Sequence, residues 1–199
     1  MLRPMPAASD IAIIRVQLQE IEPEIWRRFA APTTITLKGL HDLIQAAMGW
    51  QDCHLWEFRV AAECYGEPDP EYETNPPTLR AAGIRLGTLI ERGELGFTYI
   101  YDFGDNWRHA VMIEAVEEPR PYVPYPCFIE GARRCPPEDV GSTSGYEDFL
   151  KSVTTPRHPE RRSNLDWYGG PYDPKDINSQ LIEYRFAQAA KRRASKRRG

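Results

Sequence analysis

The sequence predicts an α+β fold: an antiparallel sheet built on N-terminal strands and a central hairpin, with helices packed on one face and a proline-rich strap. Three stretches carry this expectation. Ile11 to Leu18 sets Ala12, Ile14, Val16 and Leu18 against Ile13, Arg15 and Gln17, the period of two of a half-buried strand. Gly96 to Glu114, GFTYIYDFGDNWRHAVMIE, alternates on both sides of Phe103-Gly104-Asp105-Asn106, which holds the Gly, Asp and Asn of a tight reversal. Leu37, Leu40, Ile44, Ala47 and Met48 recur at steps of three and four, one face of a helix.

The remaining elements follow in order. After the first strand, Glu20 to Glu24 turns the chain and Ile25 to Phe29 resumes as a second strand, which Pro32-Thr33-Thr34 ends. Thr36 caps the first helix and Gly49 closes it. Trp50 to Val60 reads as a strand with His54, Trp56, Phe58 and Val60 on one face. Glu63 to Pro77, rich in proline and acid, reads as a long surface loop, and Leu79 to Arg92 as a short helical or turn segment. Beyond the hairpin, Pro119, Pro121, Pro124 and Pro126 pin an extended strap with Tyr122 and Tyr125. Ser144 or Gly145 starts a short helix through Val153, Asp166 to Pro174 reads as an irregular aromatic loop, and Ile177 to Arg193 closes as a helix with Ile177, Leu181 and Tyr184 at helical steps.

The chain of 199 residues suits one domain, expected over residues 10–190, between a disordered residue 1–9 segment and a basic tail at 191–199. Folding at this length buries roughly 70% of the surface, enough to stand without disulfides or metal. No apolar run approaches a membrane span, so no membrane partner is expected. The four cysteines without a secretory signal predict reduced thiols and a cytoplasmic protein. The net charge is −4, yet six positive charges fall in the last nine residues, so the rest of the chain carries −10. An acidic body disfavours phosphate tracking, which confines nucleic-acid binding to the tail.

Several segments, taken in order, resemble one family, the plasmid pRiA4b ORF-three-like proteins. They are Ile25-Trp26-Arg27-Arg28; Leu40-His41 through Met48-Gly49-Trp50 and His54-Leu55; Tyr99-x-Tyr101-Asp102-Phe103-Gly104-Asp105-x-Trp107-x-His109; Cys135-Pro136-Pro137-Glu138-Asp139-Val140-Gly141 with Gly145-Tyr146; and Trp167-x-Gly169 with Tyr172-Asp173-Pro174. The set runs over roughly residues 10 to 178 and departs at Ser142, where the family shows a second glycine. The resemblance implies an α+β domain and no settled activity.

The chemistry-bearing side chains are His41, the Cys53-His54 pair, Asp102, Asp105 and His109, and Glu138-Asp139. Imidazole and carboxylate ligands suit zinc, manganese or iron. The same groups serve equally as turn caps and carbonyl-bonded histidines in a fold without a site. The hairpin places Asp102 and His109 on strands flanking one turn, which predicts a carboxylate–imidazole contact. Trp107 is the aromatic expected to stand exposed, and the cysteines read as buried or semi-buried small hydrophobes. Two functions follow. One is a module binding a peptide, protein or small ligand in an aromatic and acidic pocket of His41, His54, Asp102, Asp105, Trp107, His109, Glu138, Asp139 and Tyr146. The other is a metal-dependent hydrolase using the histidines and acids of that pocket. The residues assign no cofactor.

Overall fold

The computed structural model describes residues 10–68 and 76–196, with side chains through Arg193. The expectations for residues 1–9, for the middle of the acidic loop at 69–75 and for the last residues of the tail lie outside the described residues.

The strands are β1 (Ile11–Leu18), β2 (Ile25–Pro32), β3 (Trp56–Val60), β4 (Glu63–Gly66), β5 (Thr78–Arg80), β6 (Gly96–Tyr101), β7 (Trp107–Glu117) and β8 (Cys127–Ala132). They form one eight-stranded sheet in the order β5-β4-β3-β6-β7-β1-β2-β8. Every pairing is antiparallel except β4 with β5. The helices are α1 (Leu37–Met48), α2 (Leu86–Glu91), α3 (Ser142–Thr154), α4 (Arg161–Tyr168) and α5 (Ser179–Lys196). The fold is therefore α+β, as the alternating and helical periods predict.

Alternation sorts each strand between two faces. Ala12, Ile14, Val16 and Leu18 of β1 join Phe29 of β2, Tyr99 of β6 and Val111 of β7 in the main core, beneath Leu37, Leu40 and Ile44 of α1. Each buried aliphatic of that helix is worth about 1.5–3 kcal/mol, so packing holds α1 more than propensity does. The opposite face has a small cluster of Ile11, Ile13 and Ala30, against which Tyr125 of the strap packs. Farther along that face Arg28 bridges Glu114 and Glu130. Thr36 accepts the Gly39 N–H and Gly49 closes α1 in the left-handed region at φ 95°, as its sequence predicts.

Arg27 is buried on the core side of β2 and donates to the carbonyls of Ala47, Trp26 and Ala132 at 2.8, 2.8 and 2.9 Å. One guanidinium thus ties the end of α1 to β2 and β8, and its charge meets the negative end of the helix dipole.

Several boundaries differ from the sequence expectation. The strand expected from Trp50 begins only at Trp56, because the Gln51, Asp52 and Cys53 N–H groups donate to side chains rather than to a ladder. Part of the expected acidic loop is β4, which finds partners on both sides in β3 and β5. The first half of the expected aromatic loop belongs to α4, which Gly169 ends at φ 89° while its N–H reaches Leu165 and Asp166 carbonyls. α4 buries none of its residues, so it left no apolar period to read. On α5 the buried stripe is Ile182, Phe186 and Ala190, whereas Leu181 and Tyr184 face outward. The expected stripe is therefore the wrong side of the helix, because Phe186 docks on Phe29 and Phe128.

Candidate metal centre

Three backbone segments meet beyond the turn end of the β6–β7 hairpin: the irregular run before β3, the turn after β6, and the loop before α3. Each supplies a ligand-type side chain, and two of the acids have one oxygen held by donors, local ones for Asp102 and distant ones for Glu138. Asp102 sits at φ 57°, and its Oδ1 accepts the N–H groups of Gly104 and Asp105 at 2.9 and 3.3 Å. That local turn leaves Oδ2 free to face His54. Glu138 Oε1 accepts the Gln51 N–H at 2.8 Å and the Tyr101 hydroxyl at 3.1 Å, leaving Oε2. Pro136 and Pro137 fix the approach to Glu138, and Trp50 Nε1 anchors the loop by donating to the Pro136 carbonyl at 2.9 Å. Asp105 Oδ2 accepts the Gly141 N–H and holds the far side of the same loop.

The reserved atoms converge on His54. Its Nε2 stands 3.2 Å from Asp139 Oδ1, 3.6 Å from Asp102 Oδ2 and 3.8 Å from Glu138 Oε2. Ligands held about 2.1 Å from a tetrahedral ion lie about 3.4 Å apart, near the His54-to-acid distances, and His54, Asp102 and Asp139 offer ligand atoms within 4.8 Å of one another. His54 Nε2 and Glu138 Oε2 are both sealed from solvent, and neither makes a hydrogen bond within the described residues. A sealed carboxylate oxygen without a hydrogen bond, beside a ring nitrogen in ion-pair range of three carboxylates, offers a place to a cation. Three carboxylates surround one imidazole, so the cage is anionic whichever state the ring takes. Its donors fit a divalent cation. Cys53 adds a thiol, and its sulfur, the imidazole and Glu138 offer ligand atoms within 4.8 Å of one another.

Tyr101 sits under the cage with its ring stacked 4.9 Å from that of Trp50. Its hydroxyl accepts the Cys53 N–H at 3.2 Å while donating to Glu138. Burial, with the Cys53 side chain and Glu138 alongside, drives its pKa well above the usual tyrosine value, so it remains a donor.

The other predicted side chains lie elsewhere. His41 is fully buried, stacked 3.9 Å from Trp56, with Nδ1 2.8 Å from the Tyr99 hydroxyl and Nε2 2.7 Å from Asp52. Gln45 donates to the same hydroxyl, so a closed network joins α1 to β6. Burial pulls the His41 pKa down to about 4 against the pull of Asp52. His109 is buried with Nδ1 3.3 Å from the Tyr99 carbonyl, and burial brings its pKa down to about 4 as well. The expected Asp102–His109 contact does not form. His109 pairs with Tyr99 across the hairpin, while Asp102 lies beyond the last pair, Tyr101 with Trp107. Trp107, expected outside, is 1% exposed. The Tyr146 hydroxyl is taken by the Arg134 carbonyl and the Tyr172 hydroxyl. The structure therefore assembles His54, Asp102, Glu138 and Asp139, with Asp105 in support, and keeps His41, Trp107, His109 and Tyr146 apart. Cys53, expected to be a buried or semi-buried hydrophobe, is exposed. The sequence offers the Cys53-His54 pair among its ligand types, whereas the role of the Tyr101 hydroxyl beside the cage escaped it, although Tyr101 directly precedes Asp102.

A cleft of about 620 Å³ opens beside the cage, with Glu138, Asp139, Pro136, Trp167 and Leu181 among its walls. Trp167 and Leu181 both present exposed apolar surface.

The sheet and its helices define an α+β protein that gathers His54 and three carboxylates at the end of its central hairpin. The chain belongs to the plasmid pRiA4b ORF-3-like protein family, whose model matches residues 10–181. It is 38% identical over 175 residues to the uncharacterized protein y4hQ of Sinorhizobium fredii (strain NBRC 101917 / NGR234), covering 87% of this chain and 89% of that one. It also resembles the crystal structure of MM3350, a protein of unknown function from Methanosarcina mazei Go1. The TM-score is 0.77 at 30% identity, over 86% of this chain and 97% of the other. Among the described residues no helix is long and apolar enough to cross a membrane.

Proposed function

We propose that this protein is a binding module whose site is a divalent cation held by His54, Asp102, Glu138 and Asp139, with the adjoining cleft taking a peptide or small ligand. One observation carries the reading: His54 Nε2 and Glu138 Oε2 face each other, buried and without hydrogen bonds, inside a ring of carboxylates. The four unpaired cysteines support a reducing, cytoplasmic setting.

The test uses Asp102→Asn, which keeps the oxygen that closes the local turn and removes the charge. Metal titration by calorimetry is expected to give one tight site in the native chain and at least tenfold weaker binding in Asp102→Asn, with the melting temperature unchanged or raised. A native chain that binds no divalent metal, or a variant that binds as well as native, overturns the proposal.

The second reading, a metal-dependent hydrolase, is favoured by Glu138 and Asp139 lining the cleft as well as the cage. A cation there would lower the pKa of bound water. Cleft-bound substrate would then lie against Glu138 and Asp139, and the two prolines and Trp50 would hold the loop in place. Turnover of phosphate or carboxylate esters that tracks metal content supports this reading; ester panels that stay inert in the metal-loaded protein retire it.

A further inference from the structure

The cage contains two overlapping triads that share one imidazole. Cys53, His54 and Glu138 form one, and His54, Asp102 and Asp139 form the other. Asp102 and Asp139 supply hard oxygen donors, whereas Cys53 supplies sulfur. One hydroxyl organises the sulfur side. Tyr101 accepts the Cys53 N–H, lies 3.7 Å from Cys53 Sγ and donates to Glu138 Oε1. The same contact that points Glu138 Oε2 at His54 therefore sets the thiol beside the imidazole. His54 Nε2 and Glu138 Oε2, sealed and without hydrogen bonds, stand 3.8 Å apart and mark a coordination position independent of the cysteine itself.

We infer that the cage is built for zinc(II) or a metal of similar softness, with Cys53 entering the shell as a thiolate, and not for magnesium or calcium. The inference rests on the metal-centre reading above and specifies it. Magnesium and calcium take oxygen ligands, whereas thiolate and imidazole suit zinc. Ligation breaks the Cys53 S–H bond and forms a sulfur–metal bond, and the proton passes to solvent. Cys53 is exposed, so that proton has a direct way out.

Cobalt(II), added to the reduced full chain without air, reports the ligands by its absorption. The expected spectrum of the native protein contains a near-ultraviolet thiolate-to-cobalt charge-transfer band and visible ligand-field bands. Cys53→Ser is expected to lose the first, keep the second, and bind zinc at least tenfold more weakly. Ligand-field bands without charge transfer in the native chain, or charge transfer that survives in Cys53→Ser, overturn the thiolate and leave the cage standing. Absence of any cobalt binding sinks the cage and the thiolate together. Where Cys53→Ser does not fold, the native chain answers alone. Zinc is expected to slow alkylation of Cys53 by iodoacetamide at least tenfold, read by peptide mass mapping, and an unchanged rate overturns the inference.

Discussion

The Tyr101 hydroxyl donates to Glu138 Oε1 across 3.1 Å, joining the last residue of β6 to a loop 37 positions further along the chain. Through that bond a strand of the sheet dictates where a carboxylate of the cage points. The Tyr101 hydroxyl also accepts the Cys53 N–H, so the register of the central hairpin is transmitted to both neighbours of His54.

Tyr101→Phe retains the ring that stacks on Trp50 and removes only the hydroxyl. The Cys53 N–H loses its acceptor and Glu138 keeps one of two donors. We expect a loss of about 1 kcal/mol in denaturant unfolding. Metal affinity should fall about 10- to 100-fold, as for other residues that orient ligands. Native-like metal affinity in this variant would show that Glu138 needs no such support.

Acid sensitivity should come from His41 and His109. Burial lowers both pKa values to about 4, below the 6.5 of an unfolded histidine. The folded state is thus favoured while both rings are neutral. That stability is complete above pH 6.5, declines as pH falls toward 4, and levels off below it. Each ring accounts for up to about 3 kcal/mol. Urea midpoints measured from pH 7.5 to 4 check this, and His109→Gln should flatten the slope. A flat profile in the native chain would contradict it.

Ser142 opens α3 at φ 62°, directly after Gly141 at φ 90°. A left-handed conformation costs a non-glycine residue about 1–2 kcal/mol, against about 0.5–1 kcal/mol of extra chain entropy for glycine. Ser142→Gly is therefore expected to stabilise by about 0.5–1 kcal/mol, and thermal unfolding that shifts downward refutes it. Gly141 and Ser142 both hold left-handed backbone, so Ser142 keeps a glycine-like shape.

Much of the architecture was legible because it depends on local periods. β1, α1 and the β6–β7 hairpin announce themselves through alternation or a three-and-four step, and Thr36 and Gly49 mark α1 at both ends. β4 and α4 were not legible, since one owes its form to neighbours on either side and the other buries nothing. The site was half legible. His54, Asp102, Glu138 and Asp139 stood out as ligand types, but their union depends on Gln51 and Tyr101 gripping Glu138 from distant segments. His109 misled because it lies near the turn in sequence while strand parity turns its ring into the core.

The borders of the sheet carry a consequence of their own. One margin ends in β5, only three residues long, and the other in β8, whose ladder slips against β2 between Arg28 and Phe29 and is entered from Pro126. A short rim on one side and a kinked, proline-led rim on the other offer little straight backbone to a passing strand. Eight strands can thus lie side by side in this molecule without inviting a ninth from its neighbour, so its copies should resist growing into fibres.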